Sequence, residues 1–477
     1  MILKKLLSGI YCDCFGDLDL KIESLFFDGR SKVKNGLFFC LNGTNTNGCN
    51  FVWQAIANGA IAIVTPQKLD VDITQVVVND VRTVMSLMSA NFYDNPQNKL
   101  KIVGITGTSG KTSTSYIIAH MLKTQNKKVG VIGTSGIFIG EKKYEATLTT
   151  PDSIMLFAIF CEMVKNDIEY VIMEVSAHAI YYSKVYGIDF EVKVLTNVMS
   201  DHLDFFKTEN NYQQTKLSFF NSGKHFVVFG DDKVGSIIKH SNNSKTTTYG
   251  FDNTNDCVIK NFELDIKGSK FEIMFENKCQ KVISKLIGVF NLQNIVCSFC
   301  VVRYLLGEFD FQGSIANLTG LDGRFQTLFC CQRNIVIDYA HTADSLKSFL
   351  QTVKNVSKNK NIIVLGCPGE RDSFKREQMG EIAGNFCDIV ILTSDNPASE
   401  NPNRIMWEMK QGVKKTKAKC YLMENRRMAI KKALLLQNEQ FNVLIVGKGT
   451  EKYQIVGDRR IKFNDLDVVK NFIKFQN

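Results

Sequence analysis

At 477 residues the chain is too long for one ordinary hydrophobic core, and a prior of roughly 150 residues per domain points to about three domains. Hydrophobic residues make up 44% and charged residues 22%, the balance of a globular enzyme rather than a disordered or fibrous chain. The formal charge of +10 favours anionic partners such as nucleotides and phosphorylated metabolites, but the basic residues form no run of five or six, which argues against nucleic-acid binding.

The 14 cysteines are scattered, as suits a reducing compartment. Cys12-x-Cys14 and Cys297-x-x-Cys300 lack a second pair at zinc spacing and read as buried thiols. The N-terminal run MILKKLLSGIYCDCFGD is broken by Ser8, Gly9 and Asp13, so no signal peptide is expected. No apolar run of about 20 residues is present, so no membrane span is expected and the expected location is the cytoplasm.

Asn95-Pro96 follows a helix-like run and precedes a new strand, which puts a boundary near residue 97. KIVGI (101–105) reads as a buried strand, 111–125 as a helix and VGVIG (129–133) as the next strand. A helix over 153–166 and the strands YVIME (170–174), VKVLT (192–196) and HFVVFG (225–230) continue the series. Strands alternating with helices predict a mainly parallel sheet covered on both faces. The Thr-rich, alternating stretch 245–287 reads as an antiparallel addition to the same domain. A second series starts near 322, with strands NIVID (334–338), NIIVLG (361–366), DIVILT (388–393) and FNVLIVG (441–447). The fold class is α/β in three domains, 1–97, 98–321 and 322–477. The central one is a phosphate-loop parallel-sheet domain and the last is Rossmann-like.

Gly104-Ile-Thr-Gly107-Thr108-Ser109-Gly110-Lys111-Thr112 sits between a strand and a helix, the context a phosphate loop needs. Glycines let backbone N–H groups approach phosphate oxygens, and the helix N-terminus adds partial positive charge. Lys111 can neutralise the β- and γ-phosphates of ATP, and the Thr112 hydroxyl can ligate Mg²⁺. Five residues rather than four separate Gly104 from Gly110. A phosphate loop alone fits a kinase, a motor or a ligase.

Ten further segments narrow this. TTPD (149–152), MEVSAHA (173–179), TNVMSDHLD (196–204), YQQTK (212–216), GVFNLQN (288–294), DGR (322–324), DYAHTAD (338–344), GCPGERD (366–372), SDNP (394–397) and GKGTEKYQ (447–454) follow in order. Together they resemble the Mur ligases of peptidoglycan synthesis, and among them the branch that adds a diamino acid. The resemblance runs from about Asp28 to about Val456. It implies an ATP-dependent, amide-bond-forming ligase acting on a UDP-MurNAc dipeptide through an acyl phosphate. Another Mur-type ligase or a folylpolyglutamate synthetase-like enzyme is the alternative, which the DYAHT, DNP and GKGTE motifs disfavour. It also implies a UDP-binding first domain, an ATP-binding central domain and an amino-acid-binding last domain.

By the same resemblance Glu174 and His202 bind Mg²⁺, and Lys216 is carbamylated by CO₂ to help hold the metal beside Thr112. Lys111 completes the catalytic set. Asn294, Arg324 and Asp338 surround the base and ribose of ATP, with His341 nearby, while Asp322 replaces the usual Pro before Gly-Arg. Asp28, Thr149, Thr150, Ser176 and Lys184 touch the UDP-MurNAc peptide. Tyr182 and Lys184 replace a common Gln and Arg, and Gly29, Asn47 and Cys49 are further departures. Arg371, Asp395, Asn396, Pro397, Ala398, Gly447 and Glu451 bind the amino acid, Arg371 through its α-carboxylate. Members adding meso-diaminopimelate carry Arg where this chain has Ala398, and that Arg pairs with the distal carboxylate. Its loss favours L-lysine over meso-diaminopimelate, with Glu400 as the nearby acceptor, unless a neighbour such as Arg404 does the same work.

Overall fold

The computed structural model spans residues 1–477 and describes all but 44–45, 200, 202, 266–267, 321–322, 331–332, 372, 437–440 and 475–477. The chain divides into two compact units: Met1–Asp256 with Cys297–Phe309, and Cys257–Val296 with Asp310–Asn477.

The first unit opens with a five-stranded sheet in the order Asp13–Phe15, Thr74–Val77, Ala60–Thr65, Gly36–Phe39, Ser24–Phe26. All pairs are parallel except the first. Gly36–Phe39 is buried at every position, as a strand covered on both faces must be. The helix Val81–Phe92 packs Val84, Met85 and Met88 into its core and starts at Asp80, whose carboxylate accepts from the N–H groups of Arg82 and Thr83.

The second sheet of this unit carries the phosphate loop. Thr246–Gly250, His225–Phe229, Val192–Leu195, Lys101–Thr106, Tyr170–Glu174 and Val129–Gly133 lie side by side and parallel. The antiparallel strands Gly136–Ile139 and Lys142–Tyr144 extend one edge. Chain order runs to one side of Lys101–Thr106 and then to the other. Such a switch point opens a crevice at the strands' carboxyl ends. In register, Ile105 faces Glu174 and Thr106 faces Leu195.

The expected strands 101–105, 129–133, 170–174, 192–196 and 225–230 are present within a residue or two. Within the stretch 245–287 the expected antiparallel addition is formed by Cys257–Asp265, Gly268–Phe275 and Lys278–Ser284, while Thr246–Gly250 departs from expectation by pairing parallel with His225–Phe229. The helix Val289–Leu306 is long and apolar enough to cross a membrane by length and composition. Most of it is buried within the protein, Cys297 and Cys300 included, so a core helix accounts for it.

The main sheet of the second unit has the order Gln326–Cys330, Arg333–Asp338, Phe441–Val446, Lys360–Leu365, Ile389–Thr393, Lys419–Met423, antiparallel only at its first pair. Ala343–Val356, Phe374–Phe386 and Pro402–Val413 bury one face, and Arg426–Leu436 with Asp465–Lys474 bury the other. This is the doubly wound, Rossmann-like arrangement expected. A separate hairpin pairs Tyr453–Val456 with Arg459–Lys462.

Candidate active site

The phosphate loop joins the strand Lys101–Thr106 to the helix Lys111–Thr124. At Gly107 φ is +146°, and a Cβ there would lie 1.9 Å from Thr196 Oγ1, so only glycine fits. The neighbouring segment Thr196–Met199 clasps the loop. Thr196 Oγ1 donates to Ser109 O at 2.6 Å, Asn197 Oδ1 accepts from Ser109 N at 2.9 Å, and Thr108 Oγ1 accepts from Met199 N at 3.0 Å. Lys111 Nζ donates to the carbonyls of Gly107 at 2.7 Å and Thr108 at 3.1 Å, which keeps its charge at the loop.

Glu174 ends the adjacent strand, buried to 1% exposure. Its carboxylate accepts from Thr112 Oγ1 at 3.0 Å, Thr134 N at 2.9 Å and Thr134 Oγ1 at 3.2 Å. Thr134 escaped the sequence reading because its only link to Glu174 is spatial. Thr150 Oγ1 donates to Glu174 O at 2.9 Å and accepts from Ser176 N at 3.1 Å, while Thr149 Oγ1 lies 3.1 Å from Thr134 Oγ1. Lys184 Nζ donates to Thr150 O at 3.3 Å; burial pushes its amine below the ordinary lysine range, with Asp152 opposing. Thr112, Glu174, Thr149, Thr150, Ser176 and Lys184 are therefore one hydrogen-bonded group.

A hydroxyl beside a carboxylate is a hard oxygen donor set that suits Mg²⁺. Among the described residues no three His, Cys, Asp or Glu gather to hold a metal. Mg²⁺ needs no such cage, since it keeps waters and takes phosphate oxygens beside one or two carboxylates. His202 lies outside the described residues, as does Asp322.

Lys216 sits on the helix Glu209–Ser218 at 1% exposure, its Nζ 4.7 Å from the centre of the Tyr212 ring. Burial, and then the Lys111 charge, hold its amine well below the ordinary lysine range, against the pull of Asp201 and Asp232. Burial thus favours the neutral form of the amine, the form that can attack CO₂. Tyr212 OH lies 3.2 Å from Thr108 Oγ1, which ties this helix to the phosphate loop. The helix end is capped by Lys193, whose Nζ donates to Phe219 O at 2.6 Å.

In the turn after the strand Ser24–Phe26, Asp28 pairs with Arg30 through two bonds of 2.9 and 2.8 Å, which lowers its carboxyl to about 2. Both line a cavity of about 530 Å³ with Phe27, Gly29, Phe51 and Arg82. The guanidinium of Arg82 stacks on Tyr182 at 4.2 Å and donates to Asn42 O at 2.6 Å. Asn47 Oδ1 accepts from Cys49 N at 2.9 Å, so two of the departures brace their own turn.

In the second unit the Asp338 carboxylate accepts from Phe325 N at 2.6 Å and Ala340 N at 2.7 Å; burial raises its pKa, with Arg324 opposing. Arg324 stacks on Tyr339 at 4.4 Å, His341 Nδ1 lies 2.9 Å from Tyr339 O, and Asn294 Nδ2 donates to Asn291 Oδ1 at 3.3 Å. Asp395, Asn396 and Glu451 gather around Lys448, a fully buried cation that sequence reasoning missed. Lys448 Nζ lies 2.5 Å from Glu451 Oε2, 2.8 Å from Asn396 Oδ1 and 3.8 Å from Asp395 Oδ1. At Gly447 φ is +112° and a Cβ would stand 2.9 Å from Asp395 Oδ2. Arg371 is exposed.

Glu400 is not the open acceptor expected for an amine-ended side chain. Both its oxygens take 3.0 Å bonds from the buried Arg376, which also reaches Glu408 at 2.8 Å. Arg404 is likewise occupied, on Glu408 at 3.1 Å. Ala398 adopts φ +51° with its backbone tied to the 453–462 hairpin.

Known proteins match this arrangement along the whole chain. The Mur ligase middle domain matches residues 105–302, and the Mur ligase glutamate ligase domain matches 323–449. The UDP-N-acetylmuramoyl-L-alanyl-D-glutamate--2,6-diaminopimelate ligase 1 of Clostridium acetobutylicum is 39% identical, with 99% of each chain covered. The like-named ligase of Caldanaerobacter subterraneus subsp. tengcongensis is 36% identical, again over 99% of each. A solved structure of a UDP-N-acetylmuramoyl-L-alanyl-D-glutamate--2,6-diaminopimelate ligase superposes with a TM-score of 0.72 at 30% identity, covering 100% of this chain and 99% of the other. A folylpolyglutamate synthase from Thermotoga maritima, at 15% identity and a TM-score of 0.61 over 76% of this chain, shares the fold alone. With a phosphate loop, a buried strand-end carboxylate and relatives matched end to end, the chain belongs to the Mur ligase family of ATP-dependent, amide-bond-forming enzymes.

Proposed function

We propose that this chain joins a diamino acid to the D-glutamate of UDP-MurNAc-L-Ala-D-Glu in cytoplasmic peptidoglycan synthesis. The contact that carries the reading is Thr112 Oγ1 on Glu174 at 3.0 Å, between the phosphate loop and a strand-end carboxylate. A glutamate carboxylate oxygen attacks the γ-phosphorus of ATP, ADP leaves, and an acyl phosphate forms. The amine of the diamino acid then attacks the acyl carbon, and phosphate leaves as the amide forms. The loop amides of Gly107–Gly110 and the Lys111 ammonium orient and neutralise the phosphates. Thr112 and Glu174 would hold Mg²⁺, with His202 and carbamylated Lys216 at a second ion; when bound, Mg²⁺ supplies Lewis-acid neutralisation of the phosphates. Thr149, Thr150, Ser176 and Lys184 face the peptide end of the nucleotide substrate, and Asp28 lies at the cavity for its UDP end. Asn294, Arg324 and Asp338 serve the base and ribose of ATP. Arg371, Asp395, Asn396, Pro397, Ala398, Gly447 and Glu451 receive the amino acid.

We read meso-diaminopimelate as the first candidate, because the relatives are named for 2,6-diaminopimelate and Glu400 is occupied by Arg376. L-Lysine is the second reading, favoured by the missing cation at Ala398. The domain bounds 1–97, 98–321 and 322–477 are part of this proposal. Purified protein with ATP, Mg²⁺, UDP-MurNAc-L-Ala-D-Glu and one diamino acid should release phosphate. No release with any diamino acid would sink the reading.

A further inference from the structure

A diamino acid with two carboxylates needs two cations, and most cations at this end of the second unit are already used. Arg376 is held by Glu400 and Glu408, Arg404 by Glu408, and Lys448 by Glu451 and Asp395. Arg371 is given to one carboxylate, and Ala398 offers nothing to the other.

The hairpin Tyr453–Val456/Arg459–Lys462 brings a further cation to this place. Ala398 N donates to Ile455 O at 3.2 Å and Gly457 N donates to Ala398 O at 2.7 Å, so residue 398 lies beside Val456 as a parallel bridge. Across the hairpin Val456 faces Arg459. Directly opposed residues share a face, and adjacent strands lie about 4.8 Å apart, so the Arg459 backbone stands about 10 Å from Ala398. The long arginine stem can carry its charge over most of that gap. Arg459 is exposed and, among the described residues, in no ion pair. Arg460 faces Ile455 and, by strand alternation, projects from the other face.

We infer that Arg459 reads the distal carboxylate of the incoming diamino acid, supplying from the next strand the guanidinium that position 398 lacks. The inference rests on the diamino-acid reading above. Its fork of donors matches a carboxylate bidentately, which a lysine in its place would not do.

The test compares kcat/KM for meso-diaminopimelate and L-lysine, by phosphate release, in the wild type, Arg459→Gln, Arg460→Gln and the double variant Arg459→Gln/Ala398→Arg. Thermal melts check that each is folded. In Arg459→Gln the preference for meso-diaminopimelate over L-lysine should fall at least about tenfold, as loss of a charged partner requires. Arg460→Gln should keep the wild-type ratio, and the double variant should regain it. An unchanged ratio in Arg459→Gln, or a wild type that uses L-lysine and not meso-diaminopimelate, would overturn the inference and leave the ligase reading standing. Silence of the wild type with every diamino acid would overturn both.

Discussion

Replacing Lys448 by Met keeps most of the buried volume and removes the charge. The ammonium is fully buried, 2.5 Å from Glu451 and 3.8 Å from Asp395. Removing one partner of a buried ion pair costs about 3–5 kcal/mol, because the other charge is left uncompensated. Glu451 is about a third exposed and regains some water, so the low end, about 3 kcal/mol, is expected. For a unit of this size that lowers Tm by roughly 6–12 °C. The loss should shrink on acidification. Burial already raises the pKa of Asp395, and Lys448 opposes that rise. Without Lys448 the folded pKa climbs further above the unfolded one, so the folded state binds protons first and the cost present at high pH is relieved as pH falls through it. Differential scanning calorimetry at pH 8 and pH 5.5, with hydrogen exchange of Phe441–Val446 as a local probe, reads both effects. A Lys448→Met protein as stable as wild type at pH 8, or one whose deficit is the same at both pH values, would refute the reasoning.

Glu174→Gln keeps the side-chain shape and one acceptor oxygen but loses the charge, so kcat should fall at least about a hundredfold while the protein stays folded. A Mg²⁺ titration of phosphate release checks it, and near-wild-type turnover would remove Glu174 from the proposed metal site. Lys216→Ala should be nearly inactive and partly rescued by added short carboxylates, while labelled bicarbonate should give a carbamate signal in the wild type alone; full activity would dismiss the carbamate. His225 stacks on Tyr304 at 4.0 Å, and burial lowers its pKa to about 4. The unfolded chain binds that proton first, so stability should fall by about 1–2 kcal/mol, allowing for solvent screening, as pH drops from about 6.5 to about 4. Urea melts of His225→Phe should lack that loss; an identical acid profile would assign it elsewhere.

Local pattern made much of the architecture legible. Runs such as KIVGI and YVIME are buried on both faces, so unbroken hydrophobicity marked them, and Gly-Lys-Thr at a helix start marked the phosphate loop. Lys419–Met423 went unread because it is an edge strand whose residues are mostly half-exposed. Thr134 and Lys448 went unread because a threonine or lysine shows nothing of its burial until distant strands bring partners to it. Glu400 misled for the same reason: in sequence it is an available acid, and only folding delivers Arg376 to it. The Thr-rich stretch from 245 mixed two structures whose alternating composition is alike.

The stacking of Arg82 on Tyr182 reaches beyond its own energy. Arg82 lines the cavity beside Asp28, and Tyr182 follows the helix Ala177–Tyr181 that Ser176 caps. A second strut, Ser86 Oγ on Tyr186 O at 2.8 Å, joins the same two segments. The cavity and the Thr150–Ser176 group are thus mounted on one frame, which on the proposed reading would act as a ruler. On the proposed reading, a UDP-linked precursor one residue short would fill the cavity yet leave its carboxylate away from the phosphate loop. Chain length would be measured by the protein before any bond is made.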